Sequence, residues 1–284
     1  MPKEIGTVIL DFGIRVFEGT KISKIPGFSR IFYILSKLFD IKIYGELEGM
    51  KIRAKISPRR ILHYSDEYNP EPHIRAFFCS LIREGMIVVD VGAFIGYYTL
   101  LASKRVGNKG LVLSFEPEPS NFEILVENIR INGLVNVRPF RMAVGNRIGK
   151  MKFDIKGIDY IARTNLEGFT IDVISLDSLI QNADVVKIDV VGGELEVLRG
   201  MKKILAKERV KIICEVYPSE MASLGYSIAE IPEFLSLYNY KIFLIDKSRR
   251  LNAVDDLLDV RAHYLFISEE GLRNARQKFK SWFE

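Results

Sequence analysis

The sequence predicts an α/β fold in which a mostly parallel sheet is covered by helices on both faces. Three observations carry that expectation. Apolar runs of strand length occur at 86–91, 111–115, 137–142, 185–190, 211–217, 240–245 and 262–267. Helical segments at 95–106, 119–132, 194–206 and 227–238 fall between several of them, and such alternation gives a parallel sheet with both faces buried. The stretch Met86-Ile-Val-Val-Asp-Val-Gly-Ala-Phe-Ile-Gly-Tyr97 leads an apolar strand through a glycine turn into a helix. That is the opening unit of a nucleotide-binding domain.

Composition sets bounds on function. The 284 residues are 48% hydrophobic and 27% charged, which suits a globular chain able to bury a sizeable core. Cys79 and Cys214 are far apart and have no zinc-type spacing, so a disulfide scaffold is excluded and both read as small apolar residues in a reducing compartment. No leader with a basic start, apolar core and cleavage site is visible, and no apolar run has the length of a membrane span. The expectation is a cytoplasmic protein, soluble or peripheral at a membrane. Residues 1–60 hold 12 Lys+Arg against 6 Asp+Glu, while the rest holds 29 against 30. The basic excess therefore belongs to the N-terminal segment, and a uniform nucleic-acid-binding surface is not supported.

The elements follow in order. Residues 4–40 hold two helical stretches divided at Pro26-Gly27. The second places Phe28, Ile31, Phe32, Leu35, Leu38 and Phe39 on one face. It packs on the domain or forms a homodimer contact, or residues 28–42 lie on a membrane surface helped by Lys24, Arg30, Lys37 and Lys42. Residues 41–56 alternate as a hairpin turning near Glu48-Gly49. Residues 57–73 read as a loop placed to close over a ligand, and His63 and His73 read as surface or structural histidines. A short helix over 74–83 delivers the chain to the first strand of the domain, so the boundary falls between 1–73 and 74–284. Extended segments at 151–155 and 170–174 interrupt the alternation, and an insertion there suits substrate contacts. The stretch from Gly271 to Glu284 reads as a short amphipathic helix.

In an open parallel sheet, ligands bind beyond the carboxyl ends of the strands. Asp90 and the Gly92–Gly96 turn end the first strand, and Glu116-Pro117 ends the second. Ala143-Val144-Gly145 lies near the end of the third, Lys187-Ile188-Asp189 ends the fourth, and Glu215-Val216-Tyr217 ends the fifth. A strand-end carboxylate such as Glu116 can accept hydrogen bonds from both hydroxyls of a ribose. The turn is D-x-G-x-x-x-G and not G-x-G-x-x-G, which argues against a nicotinamide oxidoreductase.

Several stretches together resemble one family. They are Val89-Asp-Val-Gly-Ala-Phe-Ile-Gly-Tyr-Tyr-Thr-Leu, Phe115-Glu-Pro-Glu-Pro-Ser-Asn-Phe, Glu127-Asn-Ile-Arg-Ile-Asn-Gly, Ser175-Leu-Asp-Ser-Leu, Val186-Lys-Ile-Asp-Val and Gly193-Glu-Leu-Glu-Val-Leu. In that order they are similar to the FkbM family of S-adenosylmethionine (SAM)-dependent methyltransferases, over roughly residues 70–217. The resemblance implies a Rossmann-like class I methyltransferase with a seven-stranded sheet ending in a reversed hairpin. It implies that Asp90, Gly92, Ala93, Phe94 and Gly96 cradle the methionine part of SAM. Glu116 and Pro117 would lie at the ribose, with Asn121 and the Ala143-Val144 backbone near the adenosine. Where the family usually has Asp-Val-Glu-Gly, this chain has Asp189-Val190-Val191-Gly192.

Methyl transfer needs an acceptor aligned with the methyl group, water excluded, and the acceptor's proton removed. Asp189 is the best-placed carboxylate for that role, with Glu194 and Glu215 behind it. Glu194 also opens a helix, where the macrodipole favours an acid. Lys187 is expected to pair with a neighbouring acid, since an unpaired buried ammonium is costly. A divalent metal at Asp189 and Glu215 would suit the chemistry, but no ligand cluster with diagnostic spacing points to one, and no metal ligand is assigned. The leading reading is O-methylation of a hydroxyl on a small molecule, glycan or lipid-linked acceptor. Two others stand beside it: tRNA base methylation, suggested by Glu127-Asn-Ile-Arg-Ile-Asn-Gly-Leu and the basic N-terminus, and a SAM-binding scaffold without catalysis, suggested by Val191.

Overall fold

The computed structural model describes residues 44–53, 71–153 and 169–278. The expected N-terminal helices, including the 28–42 membrane or dimer face, and the loop at 57–70 lie outside the described residues. The chain divides into two compact units, Met1–Pro70 and Glu71–Glu284. In the first, β1 (Tyr44–Leu47) pairs antiparallel with β2 (Met50–Arg53), with Leu47 opposite Met50. The two-residue turn has Glu48 at φ 50° and Gly49 at φ 81°. Two successive positive φ values give the twist that matches a tight hairpin.

The second unit opens with α1 (Pro72–Leu81), β3 (Ile87–Val91), α2 (Tyr97–Val106), β4 (Leu111–Phe115), α3 (Pro119–Ile131) and β5 (Val137–Phe140). A short strand, β6 (Ala143–Val144), then joins β8 (Phe169–Ile174) and β7 (Gly149–Phe153) in a separate three-stranded sheet, order β6-β8-β7. Both extended segments expected between the third and fourth main strands are therefore present, as an antiparallel pair. The chain continues through α4 (Leu176–Leu179), β9 (Val185–Ile188), α5 (Glu194–Arg199), α6 (Lys202–Leu205), β10 (Lys211–Val216) and α7 (Pro218–Ser223). It ends with α8 (Glu230–Ser236), β11 (Tyr240–Ile245), β12 (Leu251–Val254), β13 (Ala262–Ser268) and α9 (Glu269–Lys278).

The main sheet has the order β12-β11-β13-β10-β9-β3-β4-β5. From β5 to β10 neighbouring strands are parallel, and β10, β13, β11 and β12 pair antiparallel in turn. The reversed final hairpin is present, but among the described residues the sheet has eight strands and not seven. The extra strand is β12, a four-residue edge with Asn252 and Ala253 exposed, so it leaves no apolar run in the sequence. The single helix expected over 194–206 is two, α5 and α6. The break follows Gly200, where a Cβ would sit 2.0 Å from the carbonyl oxygen of Gly145.

The chain runs outward from β3 to β4 and β5, then returns to β9 on the other side of β3. That reversal is the switch point at which an open α/β sheet forms its ligand crevice. One face of the sheet is apolar to its ends. Val89, Val91, Phe115, Val186, Ile188, Ile212 and Val216 pack with Leu195, Leu198, Ile204 and Leu205 of α5 and α6. Alternate side chains point to the opposite face. There α2 lies on β3 and β4, and α1 lies on α2, with Phe78 edge-on to Tyr98 at 5.0 Å. On that face Val88 and Val112 give way, toward the carboxyl ends, to buried Asp90, Ser114, Lys187 and Glu215.

Candidate active site

The first half of the site is the turn after β3. Gly92 (φ 83°) and Gly96 (φ 93°) occupy the left-handed region, and so does Phe94 (φ 52°). Gly92 also has no room for a side chain, because a Cβ would fall 1.9 Å from the carbonyl oxygen of Asp189. Its N–H and that of Ala93 both donate to the carbonyl of Phe115, at 3.0 and 2.9 Å, which ties the turn to the end of β4. Gly96 caps α2, and a Cβ there would meet Leu125 Cδ1 of α3 at 2.7 Å. Asp90 is buried, and its Oδ2 accepts from the Thr99 hydroxyl at 2.7 Å. Its Oδ1 has no hydrogen-bond partner among the described residues. Burial raises the Asp90 carboxyl above its ordinary range, against the pull of Lys187.

Glu116 stands at the end of β4, facing this turn. Its Oε2 accepts from the Phe94 N–H at 2.8 Å. Its Oε1 accepts from the Glu118 N–H at 2.9 Å and from Asn121 Nδ2 at 3.3 Å. Pro117 lies between Glu116 and the Glu118 amide that donates to it. Burial pushes Glu116 up to about 7, outweighing these hydrogen bonds. Asn121 is held in the first turn of α3, where the Glu118 carboxylate caps Ser120 and Asn121. The Asn121 Oδ1 is a second buried oxygen without a partner among the described residues. Ala143 and Val144, expected near the same ligand, form β6 in the small sheet, and Val144 belongs to the core on the apolar face.

The second half of the site is a charged network at the ends of β9 and β10. Lys187 lies opposite Asp90 in the β3–β9 register. Its buried ammonium pairs with Asp189 Oδ2 at 2.9 Å and sits 4.5 Å over the Tyr98 ring. Burial works against this cation, but Asp189, Asp90 and Glu215 outweigh it and raise Lys187 above its ordinary value. The expected pairing of Lys187 with an acid is therefore present. Asp189 Oδ1 accepts from the Tyr217 hydroxyl at 3.1 Å, so both its oxygens are oriented. Arg261 stacks on Tyr217 at 4.8 Å and donates to Glu215 Oε1. Burial pushes Glu215 up, but His263 and Arg261 outweigh it and hold the carboxylate below the usual range.

Asp189 and Glu215 thus share one network of hydrogen bonds and ion pairs; among the described residues Glu194 is not hydrogen-bonded to either, although their charges reach it. Glu194 opens α5, where its Oε1 accepts from the Gly192 N–H at 2.9 Å and its Oε2 is buried without a partner among the described residues. Burial pushes Glu194 up to about 8.

Four further residues of the network carried no signal in the sequence: Glu71, Tyr217 in its role toward Asp189, Arg261 and His263. Glu71 precedes α1, while His263 lies opposite Glu215 in the β10–β13 register. The fold brings Glu71, Glu215 and His263 together, with one ligand atom of each within 4.8 Å of the others. Only strand pairing between distant segments assembles them, and no local spacing records it.

Comparison with known proteins agrees with this geometry. The profile of the Methyltransferase FkbM domain matches residues 90–242, over half of the chain. The chain is 34% identical over 154 residues to the hexuronic acid methyltransferase AglP of Haloferax volcanii, covering 50% of this chain and 62% of that protein. It is 38% identical over 68 residues to protein-L-isoaspartate O-methyltransferase 1 of Archaeoglobus fulgidus, covering 23% of this chain and 32% of that protein. The match therefore spans less than two thirds of either relative. A solved FkbM methyltransferase from Methylobacillus flagellatus KT superposes with a TM-score of 0.44 at 18% identity, covering 68% of this chain and 50% of that one. The glycine turn, the strand-end acid and the matched profile place this chain in the FkbM family of SAM-dependent methyltransferases.

Proposed function

We propose that this chain transfers a methyl group from SAM to a hydroxyl of a sugar acceptor, with uronic-acid-containing glycans as the first class to try. The carrying observation is the fixing of Asp189. Lys187 and Tyr217 hold its two oxygens, and its backbone N–H bonds the end of β3 at Val91 O, 2.9 Å away. The backbone carbonyl of the same residue packs directly against Gly92 of the turn. The similarity to a hexuronic acid methyltransferase supports a glycan as the acceptor.

The residues fit the cofactor. SAM offers hydrogen-bond donors at its ammonium and ribose hydroxyls, and the turn presents buried acceptors without partners at Asp90 Oδ1 and Asn121 Oδ1. In this reading Asp90 takes the ammonium, with Gly92, Ala93 and Gly96 shaping the turn around the methionine part. Glu116 takes a ribose hydroxyl through the lone pair that Phe94 leaves open on Oε2, and Asn121 lies at the same end. When bound, SAM supplies an electrophilic methyl group on a sulfonium. Asp189 orients the acceptor hydroxyl and takes its proton, with Lys187 stabilising the carboxylate that does so. Tyr217 fixes the rotamer of Asp189. Glu215 acts indirectly, by anchoring Arg261 against Tyr217.

The test is transfer of labelled methyl from SAM to three pools: uronic-acid oligosaccharides, neutral oligosaccharides and RNA. The reading expects label on a sugar pool in a form that survives mild base, as an ether does. Base-labile label would mean a carboxyl ester and overturn the hydroxyl assignment. Label on RNA alone would favour tRNA methylation, and SAM binding with no transfer to any pool would favour a scaffold.

A further inference from the structure

We infer that Glu71, Glu215 and His263 form a binding site for one divalent first-row metal ion. The imidazole carries the inference. His263 is 8% exposed, and its Nε2 is fully enclosed and makes no hydrogen bond of ordinary geometry with any described residue. It does not lack neighbours: Glu71 Oε2 and Glu215 Oε2 each stand 3.4 Å from it. That separation is long for a charge-assisted hydrogen bond, which closes to about 2.7–2.9 Å. It matches the separation of two ligands on a tetrahedral ion, which at a bond length of about 2.1 Å is about 3.4 Å.

The surroundings agree in chemistry and in charge. One imidazole nitrogen and two carboxylate oxygens form a donor set suited to Mn²⁺, Fe²⁺, Co²⁺ or Zn²⁺. Arg261 occupies Glu215 Oε1 and leaves Oε2 turned to His263, which is how an outer partner orients a ligating carboxylate. The carboxylates around the centre are Glu71, Asp189 and Glu215, with Asp90 beyond Lys187; the cations facing them are Lys187 and Arg261, and His263 itself when its imidazole is protonated. The excess of acids over bases on a buried face is what a divalent cation would offset. Three protein ligands leave positions open for water or for an acceptor oxygen. A metal there would sit in the same charged network as Asp189 and would supply Lewis-acid polarisation of an oxygen bound to it.

The binding itself does not depend on the acceptor assignment, so the test reads metal binding and not activity. The full chain, stripped with a chelator, is titrated with MnCl₂ and with ZnCl₂ by calorimetry, and bound Mn²⁺ is counted by electron paramagnetic resonance. Saturable binding of one ion per chain is expected. His263→Ala and Glu71→Gln should each weaken it at least about 10-fold, as loss of a ligand does at a minimum, while SAM affinity stays unchanged and reports an intact fold. Should His263→Ala also lose SAM binding, Glu71→Gln, which keeps the side-chain shape, decides the matter. Glu116→Ala should keep the metal while losing SAM, which separates this site from the methyltransferase reading. No saturable binding by the unaltered chain, or equal binding by both ligand variants, would overturn the inference.

Discussion

The two halves of the strand-end groove are built by opposite means. Around β3 and β4 the groove is made of backbone: glycine turns at Gly92 and Gly96, amides of Phe94 and Glu118, and one buried carboxylate that collects them. Around β9, β10 and β13 it is made of charged side chains that hold one another: Lys187 on Asp189, Tyr217 on Asp189, Arg261 on Glu215. A backbone site suits a ligand that does not vary, because main-chain donors cannot be exchanged by mutation. A side-chain site can be altered one residue at a time, which suits a ligand that can change. The same contrast predicts that damage to each half will be read by a different assay.

The largest effect belongs to the side-chain half. Asp189→Asn should lower kcat by about 10²–10⁴, the range for loss of a general base, and leave SAM affinity within about 2-fold. Single-turnover methyl transfer and a parallel SAM titration measure the two. A fall in SAM affinity as large as the fall in rate would erase the division between the halves.

Next comes a change to the backbone half that touches no charge. Gly92→Ala puts a methyl group where the Asp189 carbonyl stands and demands φ 83° of an alanine. Strain and overpacking together should cost about 2–5 kcal/mol. Urea unfolding measures it, and a loss under about 1 kcal/mol would show that the two strands can move apart freely.

The most gradual effect is a pH dependence of the SAM-free protein. Glu116 and Glu194 have folded-state values of about 7 and about 8, raised by burial from an ordinary 4.5. A raised acid binds its proton more tightly in the folded state, so its contribution is present at low pH. It is lost as pH rises from the unfolded value through the folded one. Stability should therefore decline between about pH 5 and pH 8, by roughly 3 kcal/mol for each group if the full shift is realised. Glu194→Gln should flatten that decline while leaving the part due to Glu116. A thermal midpoint that rises steadily with pH across this window would contradict both burial effects.

The sequence made the backbone half readable because its parts are close together and each abuts a strand end. Asp90, Gly92, Gly96, Glu116 and Asn121 lie on two consecutive strand–turn–helix units, so their spacing reflects the geometry directly. The strands themselves were legible where they are buried on both faces, as Val185–Ile188 is. Edge strand β12 was not, because half of it faces water. The need for glycine at the helix break, Gly200, was hidden because it is a close approach to Gly145, far off in the chain. Asp189 and Glu215 were visible as strand ends, but that Glu194 bonds back to the Gly192 amide and to neither of them was not. His263 and Glu71 were invisible for a stronger reason. Their meeting depends on an antiparallel register between β10 and β13 and on where α1 begins, neither of which leaves a local pattern.

The most direct measurement is a calorimetric titration of the full chain with SAM, repeated on Glu116→Ala. Glu116 should be ionised to accept a ribose hydroxyl, so the affinity of the unaltered chain should tighten as pH rises from 6 to 8. The variant should bind at least about 100-fold more weakly, a loss of about 2.7 kcal/mol, and lose that pH dependence. Undiminished binding by Glu116→Ala, or no saturable binding by the unaltered chain, would contradict the placement of SAM between the turn after β3 and the end of β4.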